Sequence, residues 1–317
     1  MLYTTIADVV AAENRATVFF HLTAVFLGSQ MIAGPLGGYM LRWGPWFPLL
    51  FALAMLVVSQ LVILAFPETV HVHDKKIPAH RDDSDTEGMP PMAKLLHKAK
   101  TGLAEVWDFV LGNKNLAFLM VSLTFVVLGR FVGEILLQYA TDRYHWSWEK
   151  ASMVLSIRSA GSLVALLVVL PAASLLCVQR LGMTGVAKDL WIARWSGVVS
   201  IIGSWLIAAA AHGGLFSFGL IWLALGTGMI AVIRSLLNAL VEEHHVGTVN
   251  SLVGFMETVG MTMAGPLLAK SLDVGLHLGG GWMGLPFYVA GQLFVIATVI
   301  LWTFRMPEGR LSVEPAC

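Results

Sequence analysis

Residues 17–38 read TVFFHLTAVFLGSQMIAGPLGG, and residues 248–269 read TVNSLVGFMETVGMTMAGPLLA. Thr17-Val18 aligns with Thr248-Val249, and Ala33-Gly34-Pro35-Leu36 with Ala264-Gly265-Pro266-Leu267, at one constant offset and without a gap. Two matches held in register mark an internal repeat, and a repeat identifies an architecture before any single motif does. The size of the repeating unit follows from what lies between the copies.

The chain is 57% hydrophobic and only 13% charged, with a mean hydropathy of +0.75; water-soluble domains sit near 25% charged. A soluble globular protein is excluded. Crossing a hydrocarbon core takes about 20 apolar residues in a helix. Such runs fall at 15–40, 47–66, 116–140, 151–176, 192–211, 215–240, 248–272 and 285–304. In lipid the backbone must satisfy its own hydrogen bonds, and runs this long are helices rather than the shorter strands of a barrel. The expected fold is an all-α membrane protein with eight transmembrane helices. Net charge is +0, which points to no nucleic-acid partner, and the two cysteines, Cys177 and Cys317, define no disulfide framework.

The two copies occupy the first and seventh spans, so the repeating unit is six helices. One span follows the second copy, which makes each copy the fifth member of its unit. The eight spans then correspond to helices five to twelve of a twelve-helix, two-half parent whose first four helices are missing. Residues 1–69 form the remnant of the amino-terminal half, 70–115 a cytoplasmic linker, 116–304 the six-helix carboxy-terminal half and 305–317 a cytoplasmic tail. In the linker, Asp82-Asp83-Ser84-Asp85 and Pro90-Pro91 mark a loop. Met92, Leu95, Leu96, Ala99, Leu103, Val106, Trp107 and Val110 then recur at helical steps, as in an amphipathic helix lying on the membrane. Spans two, five and eight carry no ionisable residue well inside and are expected to face lipid. In the connections, lysine and arginine collect on the side of the membrane that holds the amino terminus, which puts both termini in the cytoplasm.

Two six-helix halves joined by a long cytoplasmic loop resemble the major facilitator superfamily of secondary transporters. Gly34-Pro35-Leu36-Gly37-Gly38 is similar to the antiporter signature of the fifth helix in drug and proton antiporters, with one residue instead of two between Gly-Pro and Gly-Gly. Residues 14–19, 189–194 and 279–287 resemble members common in filamentous fungi. The resemblance implies a small-molecule solute and protons as partners, a lipid bilayer as surroundings, a monomer at full length, and no enzymatic activity or cofactor. The plasma membrane is the expected location, with the vacuolar membrane as the alternative. Arg180, Asp189 and Arg194 keep the charge types of the family's basic cytoplasmic loop and are gate candidates. Gly34, Pro35, Gly37, Gly38, Gly265 and Pro266 form a helix-packing motif whose small residues let backbones approach closely.

An ionisable side chain at the bilayer centre costs about 2.5–3.5 kcal/mol on insertion scales, so each one needs a partner, a wet cavity or a function. Arg130, Glu134 and Gln138 are spaced by four on one face of the third span, in the outer half of the membrane, and Arg158 sits at similar depth. These four are the substrate or gate candidates; the plainer alternative is an Arg130 to Glu134 pair neutralising itself on one helix. Glu257 has no neutralising neighbour on its own helix and is the proton-coupling candidate. Arg234 is expected to reach toward Glu242 or Glu243 at the cytoplasmic end. His71, His73, His244 and His245 have the look of solvated loop residues rather than metal ligands. No nucleophile, base and oxyanion constellation occurs. The leading expectation is proton-coupled efflux of a small organic solute by alternating access. The alternatives are a proton-coupled nutrient importer and a truncated, non-transporting membrane fragment.

Overall fold

The computed structural model describes residues 25, 28–64, 114–241 and 246–304. The chain divides into two compact units, Met1–Glu105 and Val106–Cys317. In the first, residues 28–40 are helical through Pro35, a short turn follows at Leu41–Trp43, and α1 spans Trp46–Leu64. A Cβ at Gly37 would meet nothing within 4 Å, so the close packing expected there is not formed by any described neighbour. The amino-terminal part of the first expected span, the linker with its amphipathic helix, Glu242 to His245 and the tail lie outside the described residues.

Among the described residues the second unit holds six helices long and apolar enough to cross a membrane, Asn115–Tyr144, Trp148–Gln179, Gly185–Ala209, Gly213–Ala239, Leu252–Leu278 and Gly280–Thr303. Their elements are α2 (Lys114–Arg130), α3 (Leu136–Tyr144), α4 (Trp148–Val164), α5 (Leu170–Gln179), α6 (Gly185–Ala209), α7 (Gly213–Leu225), α8 (Met229–Ala239), α9 (Val246–Leu278) and α10 (Leu285–Thr303). Every regular element among the described residues is helical. Local chemistry explains several ends. Ser147 caps α4 by accepting from the Lys150 amide at 3.3 Å, and Thr184 caps α6 by accepting from the Ala187 amide at 3.4 Å. His145, in the left-handed region at φ 51, stops α3.

Three spans are interrupted near their middle. A 3₁₀ turn, Phe131–Ile135, separates α2 from α3, and a second, Gly226–Gly228, separates α7 from α8. A π turn, Ala165–Val169, separates α4 from α5 just before Pro171, whose missing N–H removes a helical hydrogen bond. The first of these turns alters the sequence reading. A 3₁₀ turn advances about 120° per residue instead of 100°. Arg130 and Glu134 are therefore not stacked as an i,i+4 pair.

Glycines set the helix crossings. A Cβ at Gly203 on α6 would strike the backbone of Leu223 on α7, and one at Gly284 would strike the backbone of Ala208. A Cβ at Gly129 would lie 3.0 Å from the Phe294 ring and one at Gly260 3.1 Å from Val127, so these glycines let α10 and α9 close onto α2. At Gly265, by contrast, a Cβ would meet nothing within 4 Å. The fifth and eighth apolar runs, which carry no ionisable residue well inside, lie in α6 and α10, and these two helices pack along each other. Each also leaves a bare apolar stripe, Trp195 and Ile202 on α6, and Ile296 and Val299 on α10.

At the end of the unit where α3 finishes, Tyr139, Phe216 and Phe287 are fully buried and in ring contact. Tyr144 Oη donates to the Ala210 carbonyl at 3.0 Å, and Arg143 donates to the Gly280 carbonyl, so two interhelical loops are tied to one helix end. Gly203→Ala and Gly284→Ala should each cost about 1–3 kcal/mol by overpacking. Gly265→Ala should change stability by less than about 0.5 kcal/mol. Reversible unfolding in mixed micelles measures all three.

Candidate functional site

The ionisable residues inside the spans form a column. At 1.5 Å per residue, Glu257 lies about 17 Å along α9 from Val246, and Arg130 about 24 Å along α2 from Lys114. Successive spans alternate in direction, so both distances run from the same side. Arg130 is thus near mid-span, deeper than expected, because the helix continues to Tyr144. Glu134 follows one turn further on, in the 3₁₀ turn, and Arg158 comes about 15 Å from the opposite end of its span.

Arg234 and Glu257 form an ion pair between α8 and α9. Arg234 leaves α8 only about 8 Å before its end at Ala239. Its guanidinium therefore reaches inward along the helix to meet Glu257, the reverse of the expected snorkelling. Arg130 feels the charges of Glu257, Arg234 and Glu134, and Arg158 those of Arg130 and Glu134. Along the bundle Arg234 comes first, then Glu257 and Arg130, and the Arg158 guanidinium, seated against Gly133, lies level with the turn that carries Glu134.

Its members differ in how they are held. The Arg158 guanidinium lies against Gly133, where any Cβ would occupy its place. Neither Arg130 nor Arg158 makes a hydrogen bond or an ion pair within 4 Å among the described residues, and no such pair joins Arg130 to Glu134. Arg130, Glu134 and Gln138 are exposed, while Arg158, Arg234 and Glu257 are half-buried. Exposed charge at this depth is tolerable only where water reaches it. Beside the ion pair, Arg234 Nε and Asn238 Oδ1 are buried without partners among the described residues.

The three gate candidates are not brought together. Arg194 donates to the carbonyls of Leu301 at 2.9 Å and Phe304 at 3.0 Å, and stacks over the Trp302 ring at 5.2 Å. It caps the carboxy terminus of α10, whose last carbonyls have no helical donors. Asp189 accepts from Ser235 Oγ at 2.7 Å and lies 3.2 Å from Lys188 Nζ, which fastens α6 to α8 one residue from Arg234. Arg180 is exposed beyond α5.

Sequence reasoning missed Arg234 as a member of the site. The signal was there, since Arg234 and Glu257 are the two opposite charges inside consecutive spans, each without a neutralising neighbour on its own helix. Choosing between Glu257 and the more numerous acids of the following loop needed the packing of α8 on α9.

The charged column in an apolar helical bundle agrees with comparison to known proteins. A family model described as Major Facilitator Superfamily matches residues 1–264. The chain belongs to the major facilitator superfamily. It is 29% identical over 311 residues to the MFS-type transporter avaK of Aspergillus versicolor, covering 98% of this chain and 68% of that protein. It is 32% identical over 304 residues to the efflux pump ustT of Aspergillus flavus, covering 94% of this chain and 60% of that protein. The MFS efflux pump atnC of Emericella nidulans is 30% identical over 312 residues, covering 97% of this chain and 60% of its own length. This chain thus spans 60–68% of the length of these three relatives. As a major facilitator chain with six apolar helices it is an integral membrane protein of a transporter family, not an enzyme.

Removing one member of the Arg234–Glu257 pair strands the other. Arg234→Gln and Glu257→Gln should each lower stability, and the double variant should be less impaired than the sum of the two. The coupling energy should fall in the range of about 0.5–3 kcal/mol, read from a double-mutant cycle. Arg194→Leu should cost about 1.5–3 kcal/mol through the lost charged hydrogen bonds, visible as a lower unfolding midpoint.

Proposed function

We propose that this chain is part of a secondary transporter that moves a small organic solute outward by alternating access, coupled to protons through Glu257. The observation that carries this reading is the column of exposed and half-buried charged residues inside an apolar bundle. Such residues are expensive in a membrane and find their use in solute and ion pathways. Two of the relatives, ustT and atnC, are named efflux pumps, which supports the outward direction for this chain, as does the Gly34-Pro35-Leu36-Gly37-Gly38 signature. The eight apolar runs are assigned to helices five to twelve of a twelve-helix fold, with residues 1–69 in one half and 116–304 in the other. Both termini are assigned to the cytoplasm, and the plasma membrane is the proposed location.

Glu257 is suited to coupling because its carboxylate has one strong partner. It pairs with Arg234 across α8 and α9, and a proton added to it would remove the charge that holds the guanidinium and with it that ionic link. The 3₁₀ turns at Phe131–Ile135 and Gly226–Gly228 provide places where the spans flex as the cavity changes sides. Arg180 and Asp189 remain gate candidates on the cytoplasmic side; Arg194 serves there by holding the end of α10.

Proteoliposomes with entrapped pyranine test this reading, using neutral, cationic and anionic organic solutes added outside. Solute addition should drive proton movement through the protein, and Glu257→Gln should abolish it without unfolding the chain. Proton movement opposite to the solute supports efflux by exchange, and movement with the solute supports the uptake reading. Solute-driven proton movement that survives Glu257→Gln would remove Glu257 from the mechanism.

A further inference from the structure

We infer that the solute recognised at this column is an organic anion, whose acidic group docks between Arg158 and Arg130. The inference rests on the transport reading only for the claim that a solute enters; the charge preference follows from the column itself. Three arginines face two glutamates, which leaves an excess of one positive charge when both carboxylates are ionised. The excess is localised. Arg234 is matched by Glu257, whereas Arg130 and Arg158 make no hydrogen bond or close ion pair among the described residues.

Geometry makes the same point independently of the count. Gly133 gives the Arg158 guanidinium a seat on the 3₁₀ turn that any side chain would fill, so the group is placed rather than adrift. Arg130 sits three residues before Gly133 on the same span, so both guanidinium groups belong to one stretch of it. Like charges this close in a membrane repel each other, and an anion between them relieves the repulsion and supplies the missing acceptors. Guanidinium forks suit a carboxylate, sulfonate or phosphate group better than a hydroxyl or amide. Lipid headgroups do not serve as that anion. Arg130 is about 21 Å or more from either end of its span, well below the headgroup layer. Glu134, exposed beside both arginines, sets a limit: it disfavours a second acidic group and leaves room for a donor on the solute.

The test uses the 317-residue chain in an uncharged maltoside, with equilibrium binding of radiolabelled 2-naphthoate and its neutral isostere 2-naphthamide at neutral pH. Wild type should bind the carboxylate about ten-fold tighter, the ratio that one charge-assisted contact supplies. Arg158→Gln should bring that ratio close to one, Arg158→Lys should keep part of it, and Gly133→Ala should lower it without removing any charge. Arg130→Gln takes the place of Arg158→Gln if the latter does not fold. A wild-type ratio near one, a ratio that survives loss of either arginine, or no binding of either probe up to millimolar concentration overturns the inference. A ten-fold ratio in a protein that shows no solute-driven proton movement would contradict the transport reading and leave anion recognition standing.

Discussion

A charge inside a bilayer has to be matched, wetted or removed, and that constraint accounts for how this unit is assembled. Arg234 extends inward instead of toward the membrane surface because its partner, Glu257, lies there on α9. Arg194 is held by the last carbonyls of α10, groups that otherwise have no donors. Arg143 serves two loop carbonyls at the opposite end. The arginines left over, Arg130 and Arg158, lie where the bundle is open or half-open rather than on the bare apolar stripes of α6 and α10.

Packing then places those charges. Gly203 and Gly284 draw α6 against α7 and against the start of α10, and Gly129 and Gly260 draw α10 and α9 onto α2. With α9 fixed on α2, Glu257 comes within the field of Arg130 as well as that of Arg234. The 3₁₀ turn at Phe131–Ile135 does the rest. It separates Arg130 from Glu134 around the helix and offers Gly133 to Arg158, so that a pair which could have cancelled on one helix faces outward.

Long-range order was legible in the sequence where it is written in length and composition. The six apolar runs between 116 and 304 correspond to six membrane-length helices, with ends shifted by up to several residues. Of the glycines that sequence marks for close helix contacts, a Cβ at Gly129, Gly133, Gly226, Gly228 or Gly260 would meet neighbours, whereas one at Gly254, or at Gly37 and Gly265 of the repeated motif, would meet none among the described residues. The difference is physical: a glycine in a sequence signals permission for close approach, and only the fold decides whether anything approaches. Arg130, Glu134, Arg158 and Glu257 were legible because charge is rare inside apolar runs. The Arg234–Glu257 pair was not, since a flexible side chain can reach along its helix in either direction. Nor was the turn after Arg130, because its sequence reads as uninterrupted helix.

The central claim is that the column lines water rather than lipid, and accessibility at Glu134 tests it most directly. In proteoliposomes containing a chain with Cys177→Ser and Cys317→Ser, Glu134→Cys would be treated with the membrane-impermeant anionic reagent sulfonatoethyl methanethiosulfonate, with Val299→Cys on the bare stripe of α10 as control. A wet column predicts rapid modification at position 134 and none at 299. An inert cysteine at 134, or equal reactivity at both positions, would contradict it.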